Sequence, residues 1–516
     1  MRVLFILLLS LLNCLSVKSQ FNPDRYKSDV FPGVTETTNV LFSTNVPQPN
    51  PGGGIYEGVT GYPLNVNEYQ TTNVNLYMNI FQPTGDTTTK RPVVIVCFGG
   101  GFVAGSKDHW SMRLIAQELA KRGFVTAVID YRLGMNMFDA ELSKRAVYRG
   151  VQDGRSAVRF FRADAAGANN YKIDPEQIFI GGHSAGAFIA LHNAYLNKET
   201  ERPASTYTWL QSCGFLGWSN CVCPNLGCLD CAGNNQSFSG HANAVFSLAG
   251  AVGSISYLET ANDPRVVLFH SENDGTVPYT SGEPFEDISW LVFGSDLPVV
   301  YGSQPIHAQA NSLGLPSQFF SYADRGHDVH EATSSTLYND IIPGISVWFY
   351  NQRLKPSPAI LEGNTLACVS EPFHTYRAEN SNAFYFHWSV IGGVIQPHVN
   401  TSHTVSVAWD NSAPTHSITV TPYSRQWAAG NPVMLEVQLT DSAVNIWLGN
   451  NESWINKDNW SLLHIPQSCH HVIIPGGTGI AEPMIPAEVL SSIKSIDLGQ
   501  NRTLEIQPGS SLIIRE

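Results

Sequence analysis

Three short segments carry side chains that could do chemistry together. Gly182-His183-Ser184-Ala185-Gly186 sets a serine between glycines two positions before and two after it. That spacing lets a strand turn sharply into a helix and leaves the serine at the tip, its backbone strained and its Oγ exposed. The Ala185 N–H would then sit at a helix N-terminus, where developing negative charge is favoured. Farther along, Glu272-Asn273-Asp274-Gly275-Thr276-Val277-Pro278 offers a carboxylate and Asp324-Arg325-Gly326-His327 an imidazole. A hydroxyl is a weak nucleophile until an imidazole takes its proton. A carboxylate fixes the tautomer of that imidazole and stabilises its cation. Acyl transfer at Ser184 is the chemistry expected, with the imidazole of His327 and the carboxylate of Asp274 as its candidate partners.

A fourth segment, Phe98-Gly99-Gly100-Gly101-Phe102, would complete the site. Three glycines leave backbone N–H groups uncovered and let two of them converge on one oxyanion. A plain tight turn is the competing reading. Glu272 and Asp263 are the alternative carboxylates, the first closer to the preceding strand and the second ahead of it. His330 is the alternative base, and otherwise a rim residue. His183 reads as a packing residue of the elbow, and Trp110 as either pocket wall or core.

The surrounding elements must bring these segments to one place. Val93–Cys97 is a fully apolar run, as in a strand buried on both faces, and Val125–Ile129 is another. Met112, Ile115, Ala116 and Leu119 fall on one helical face, with Lys121, Arg122 and Gly123 as a stop. A helix over 146–166 and strands over 177–180, 245–248, 265–269 and 318–322 follow. Alternation of this kind argues for βαβ units and a mostly parallel, doubly wound sheet. The glycine run, Ser184, Asp274 and His327 then all lie just past strand ends.

Residues 73–354 resemble an α/β-hydrolase of the carboxylesterase/lipase type. The resemblance rests on the Gly99–Gly101 run, Asp130-Tyr131-Arg132, Asp153-x-Arg155-x-Ala157, Gly182–Gly186, Asp274-x-x-Val277-Pro278 and Gly326-His327. Their chain order, serine then acid then histidine, is the one that fold uses. The resemblance implies a Ser184–His327–Asp274 triad, an oxyanion hole built by the N–H groups of Gly100, Gly101 and Ala185, and no cofactor or metal. One departure is visible: Phe98 stands where that family usually has a histidine bracing the loop. Asp153 and Arg155 are expected to brace the 130–132 region.

The chain has 516 residues, which at roughly one domain per 150 residues suggests about three domains. Charged residues make up only 14%, and 30 basic against 43 acidic residues leave a net charge of −13, which excludes a grip on nucleic acid by phosphate neutralisation. Residues 1–19 read as a signal peptide, one arginine followed by an apolar run too short to span a bilayer. A lipid anchor at Cys14 competes with it, and no later stretch reads as an integral membrane segment. Residues 20–72, with Pro47, Pro49, Pro51 and Gly52–Gly54, read as an extended leader, and 73–356 as the catalytic domain. Cys213, Cys221, Cys223, Cys228 and Cys231 crowd an insertion over about 205–242, expected to be a disulfide-stapled cap that shapes the acyl pocket. Zinc binding is the alternative.

After Pro356-Ser357-Pro358 helical periodicity disappears. Residues 360–440 read as a β-sandwich and 441–516 as a small β-sheet or β-solenoid piece. They resemble the PKD-like, immunoglobulin-type module and a Trp-rich module of secreted Bacteroidetes-type proteins. A carbohydrate or cell-surface contact follows only by that analogy, and tryptophans in small β-domains are more often core than sugar platforms. The expected protein is a secreted serine ester hydrolase acting on short-chain or polysaccharide-linked esters. A serine peptidase on the same fold and a non-catalytic binding protein are the alternatives.

Overall fold

A computed structural model describes residues 21–52, 64–213, 218–285, 296–331, 333–397 and 402–515. The expected signal segment with Cys14, Gly53 and Gly54 of the glycine run, and residues 214–217 of the insertion lie outside them. The chain divides into two compact units, residues 1–355 with 426–428, and 356–425 with 429–516.

The first unit is built on β1 (Val34–Pro51), β2 (Val66–Pro83), β3 (Arg91–Cys97), α1 (Trp110–Lys121), β4 (Val125–Ile129), α2 (Ala140–Ala166), β5 (Ile173–His183) and α3 (Ala185–Tyr195). Then come β6 (Trp209–Cys213) and β7 (Ser219–Cys223) of the insertion, β8 (Ala244–Leu248), β9 (Arg265–Ser271), α4 (Ser303–Leu313) and β10 (Ser317–Tyr322). Eight strands form one sheet in the order β1-β2-β4-β3-β5-β8-β9-β10, parallel from β4 to β10 and antiparallel where β2 meets β1 and β4. This mostly parallel sheet fits an α/β-hydrolase fold. Every residue of β3, β4 and β8 is buried, as a sheet covered on both faces requires.

Two elements differ from the sequence expectation. Within the leader expected over 20–72, residues 34–51 do not lie over the domain: β1 is an 18-residue edge strand paired along β2, and the sheet begins at Val34. Pro47, Pro49 and Pro51 fit there because an edge strand has an outer side where a missing N–H breaks no ladder bond. Helix α2 starts at Ala140, ahead of the expected 146, because the Asp139 side chain caps it by accepting from the Glu141 and Leu142 N–H groups.

One face of α2 clamps the insertion. Arg145 donates to the carbonyls of Ser205, Tyr207 and Pro224, Gln152 to those of Leu226 and Cys228, and Arg159 to those of Ala232 and Asn234. Arg155 and Arg159 both pair with Asp230. Disulfides Cys213–Cys221 and Cys228–Cys231 staple the loop, while Cys223 is a buried free thiol, as is Cys97 of β3. The four bridged sulfurs leave no thiolate set for zinc.

In the second unit, strands at Ile360–Glu362, His374–Glu379, Thr404–Trp409 and Gly393–Ile395 form one antiparallel sheet, and Tyr385–Ile391, Ser417–Tyr423 and Val433–Glu436 another. Tyr376, Val405 and Val407 of the first sheet share a core with Ile418 of the second. Farther on, short strands stack in parallel: Ala443–Ile446 on His470–Ile474 on Ser495–Leu498, and Leu490–Ile493 on Ser511–Ile514. Such stacking is that of a solenoid. Trp447, Trp454 and Trp460 are fully buried in its core, with ring centroids 4.9 and 4.7 Å apart, so none of them is a sugar platform. The Cys368–Cys469 disulfide joins the two β regions.

On β2 of the first unit Glu68, 1% exposed, lies between Arg145 Nε (2.9 Å) and Arg149 Nη1 (2.6 Å). Removing one partner of a buried ion pair strands a charge and costs about 3–5 kcal/mol. Glu68→Gln should lose that much stability in guanidinium denaturation. A loss under ~1 kcal/mol would contradict the assignment of this cluster as a buried ionic clamp.

Candidate active site

The elbow forms as its spacing predicts. Ser184 joins β5 to α3 with φ 52° and ψ −120°, its N–H donating to the Leu248 carbonyl at 2.9 Å. A Cβ on Gly182 would lie 2.3 Å, and one on Gly186 2.2 Å, from the Cys97 carbonyl oxygen of β3. Only residues without a side chain let the elbow approach β3 this closely.

The glycine run follows β3 directly and passes beside the elbow: a Cβ on Gly99 would stand 3.2 Å from Ser184 Cβ. Gly100 (φ 126°) and Gly101 (φ 60°) are in the left-handed region, and the Gly100 carbonyl accepts from the Val103 and Ala104 N–H groups. The bracing that a histidine would supply comes from Tyr131. Its ring stacks on Phe98 at 4.2 Å and its hydroxyl donates to the Phe98 carbonyl at 3.0 Å. Asp153 does brace the 130–132 region, accepting from Arg132 N (2.8 Å) and Nε (2.9 Å). Arg155 does not: it serves the insertion and the carbonyls of Asn193 and Leu196.

Asp274 and His327 meet. Asp274 Oδ2 accepts from His327 Nδ1 at 2.8 Å, and Oδ1 accepts from the N–H groups of Thr276 and Val277 at 2.8 and 2.9 Å. His327 Nδ1 thus carries a proton, and Nε2 is left as a basic nitrogen. Burial would raise the Asp274 pKa, but hydrogen bonds from His270 and His327 outweigh it and hold the carboxyl well below its ordinary value. Among the described residues Ser184 Oγ forms no hydrogen bond, so its link to His327 is not closed here; catalytic hydrogen bonds often tighten only with substrate in place.

The rivals stand elsewhere. Glu272 is exposed just past the end of β9, 3.3 Å from Ser321 Oγ, and Asp263 caps its own turn at Glu259 and Thr260. His330 is not a rim residue: it is buried, its Nε2 3.1 Å from Ser111 Oγ. Trp110 is 60% exposed and belongs neither to the core nor to the cavity wall.

Sequence reasoning missed His270. It is fully buried on β9, with Nε2 3.0 Å from Asp274 Oδ2 and 3.1 Å from the Val277 carbonyl, both acceptors. Nε2 therefore carries the proton, and Nδ1 accepts from the Ser303 hydroxyl of α4 at 2.9 Å. Its four-residue spacing from Asp274 was the available signal.

Ser184 and Ala185 open onto a cavity of ≈250 Å³ walled by Phe102, Val147, Val151, Phe188, Tyr257 and Phe285 among others. No described residue of 205–242 lines it. Of the two segments expected to build the pocket, the insertion and residues 281–305, only the second lines it among the described residues, through 284–285 and 297–300, beside α2 and α3. His192 is in this wall, Nδ1 donating to the Phe188 carbonyl (2.8 Å) and Nε2 accepting from Gly253 N (3.0 Å).

Residues 78–288 match the BD-FAE family model. The chain is 36% identical over 118 residues to the neuroligin-like protein glit-1 of Caenorhabditis elegans, covering 22% of this chain and 15% of that protein. It is 28% identical over 224 residues to a probable isoprenylcysteine alpha-carbonyl methylesterase of Oryza sativa subsp. japonica, covering 41% of this chain and 49% of that protein. The chain therefore spans less than half the length of these curated relatives. A solved structure of Thermogutta terrifontis esterase 2 aligns over 55% of this chain and 92% of its own, at 19% identity and a TM-score of 0.36.

Burial lowers the His192 pKa to about 4, with the Phe188 carbonyl pulling the other way. Its unfolded value is near 6.5. The neutral ring then adds stability that is complete above pH ~6.5 and is lost as pH falls toward ~4, because only the unfolded chain takes up the proton in that window. Denaturation at pH 7 and at pH 4.5 should show wild type losing about 2–3 kcal/mol more than His192→Gln. Equal losses would mean that His192 does not titrate this way.

Proposed function

We propose that this chain is a secreted serine hydrolase of carboxylic esters. The observation that carries the reading is the Asp274–His327 hydrogen bond, formed in the same unit as a strained Ser184 that opens on an apolar cavity. The BD-FAE match and the methylesterase relative support it.

Ser184 Oγ attacks the ester carbonyl as His327 Nε2 takes the hydroxyl proton. Asp274 holds the resulting imidazolium. The N–H groups of Gly100, Gly101 and Ala185 receive the tetrahedral oxyanion. Collapse breaks the bond to the alkoxide, which leaves as the alcohol with the proton from His327. A water then gives its proton to His327, attacks the acyl-enzyme and releases the carboxylic acid, and Ser184 regains its hydrogen. No cofactor or metal enters these steps.

The substrates proposed are short-chain or polysaccharide-linked esters, the acyl group seated in the apolar cavity. Export through residues 1–19 agrees with the three disulfides, and among the described residues no helix is long and apolar enough to cross a membrane. The PKD-like assignment of 360–440 and a surface-contact role for the β regions belong to the same proposal. They would hold the hydrolase near a polymeric substrate.

A fluorophosphonate probe tests the nucleophile. Wild type should label and Ser184→Ala should not. Label persisting in Ser184→Ala would place the nucleophile elsewhere, and an unlabelled wild type would favour a binding protein on a hydrolase scaffold. His327→Ala and Asp274→Asn should each lower kcat on p-nitrophenyl esters by ~10⁴-fold. Near-normal turnover in His327→Ala with loss in His330→Ala would move the base to His330. A panel of rising acyl length, run beside acetylated xylan, identifies the acyl class.

A further inference from the structure

We propose that His183 is a positioning residue for the ester hydrolysis proposed above, a neutral imidazole that ties the loop carrying His327 to the glycine loop at the Ser184 elbow. The inference rests on that reading of the site and adds a residue to it.

His183 ends β5, immediately before the nucleophile, and is 6% exposed. Its Nε2 lies 3.3 Å from the His327 carbonyl oxygen and 3.3 Å from Asp328 Oδ1. Both atoms only accept, so Nε2 carries the proton and Nδ1 is bare. The bare nitrogen faces the glycine loop: a Cβ on Gly99 would stand 2.7 Å from it. One side chain thus abuts all three parts of the site, being next in chain to Ser184, against Gly99 and bonded to the backbone of His327.

Two more rings pack against it. The His327 ring lies 4.8 Å and the His330 ring 4.5 Å away between centroids, tilted to it by 48° and 52°. His330 is itself anchored to α1, where the Ser111 hydroxyl lies 3.1 Å from its Nε2, and Glu331 is 3.4 Å from the same nitrogen. Side-to-side displacement of His183 would therefore move His330 and α1 with it. His327 must also become a cation when it takes the Ser184 proton, and a second cation packed against it would oppose that step. Burial, and then the neighbouring His330 and His327 rings, keep His183 well below the ordinary histidine range, so it stays neutral while His327 cycles.

A hydrogen bond to a main-chain carbonyl fixes where a loop sits, not which substrate binds. Loss of the donor should therefore appear in kcat and leave KM in place, and a different side chain with a donor should rescue it. His183→Phe keeps a ring against His327 and His330 but has no donor. His183→Gln restores an N–H. With p-nitrophenyl acetate, His183→Phe should show kcat lowered by ~100-fold with KM within about twofold of wild type, since misplacements of about 1 Å carry penalties of that size. His183→Gln should recover at least ~10-fold of the loss. A His183→Phe kcat within about threefold of wild type, or a His183→Gln no better than His183→Phe, would overturn the proposal. Should either variant melt below the assay temperature, ¹⁵N-histidine NMR of wild type decides instead. The Nε2–H neutral tautomer at pH 7 supports the tie, and the Nδ1–H tautomer or an imidazolium overturns it. Turnover surviving Ser184→Ala would sink the hydrolase reading itself, whatever the His183 variants do.

Discussion

Ser184 is held at φ 52° and ψ −120°, a conformation that a residue with a side chain keeps only when its surroundings over-determine it. The surroundings here are β3, β5 and β8. The Cys97 carbonyl of β3 leaves room only for glycine at 182 and 186, and the Leu248 carbonyl of β8 takes the Ser184 N–H. Strain of this kind costs roughly 1–3 kcal/mol, which the parallel sheet on either side can absorb. Because the elbow sits above β5, the glycine run after β3 and the acid loop after β9 fall on the same edge of the sheet. Position in the sheet, more than any single contact, brings segments far apart in sequence together.

Asp274 has a comparable role among the polar groups. Its four accepted hydrogen bonds come from two backbone N–H groups and two imidazoles. The backbone pair fixes the carboxylate plane, and the imidazoles offset the penalty of burying the charge. His327 is oriented through Nδ1, which leaves Nε2 for the proton transfer proposed above. His270 cannot move toward the substrate, being tied to Ser303 on its other nitrogen.

Much of this was legible in the residues alone. The elbow spacing, the buried runs of β3 and β4, the helical face of α1 and the order of serine, acid and histidine all rest on local pattern or chain order, and the structure has each of those elements. What the sequence hid was non-local. A proline-bearing stretch became β1 because it lies at an edge, a fact that no window of residues contains. Tyr131 replaces the missing histidine by stacking from the end of the next strand. His183 looked like packing, and its reach to the His327 carbonyl spans 144 positions. The insertion looked like a cap, yet Arg145, Gln152 and Arg159 on α2 bind its carbonyls, and Arg155 its Asp230, away from the cavity. In the second unit the buried tryptophans followed the expectation that small β-domains fill their cores with large rings.

In the proposed reaction an oxyanion formed on an acyl group at Ser184 is received by the N–H groups after β3 and at the start of α3. A crystal structure of the chain after reaction with a phosphonate ester, which mimics the tetrahedral adduct, tests it most directly. Phosphorus is expected on Ser184 Oγ, with the phosphoryl oxygen within hydrogen-bond distance of the N–H groups of Gly100, Gly101 and Ala185, and His327 Nε2 turned toward Oγ. Phosphorus on another residue, or a phosphoryl oxygen pointing away from the glycine loop, would contradict it.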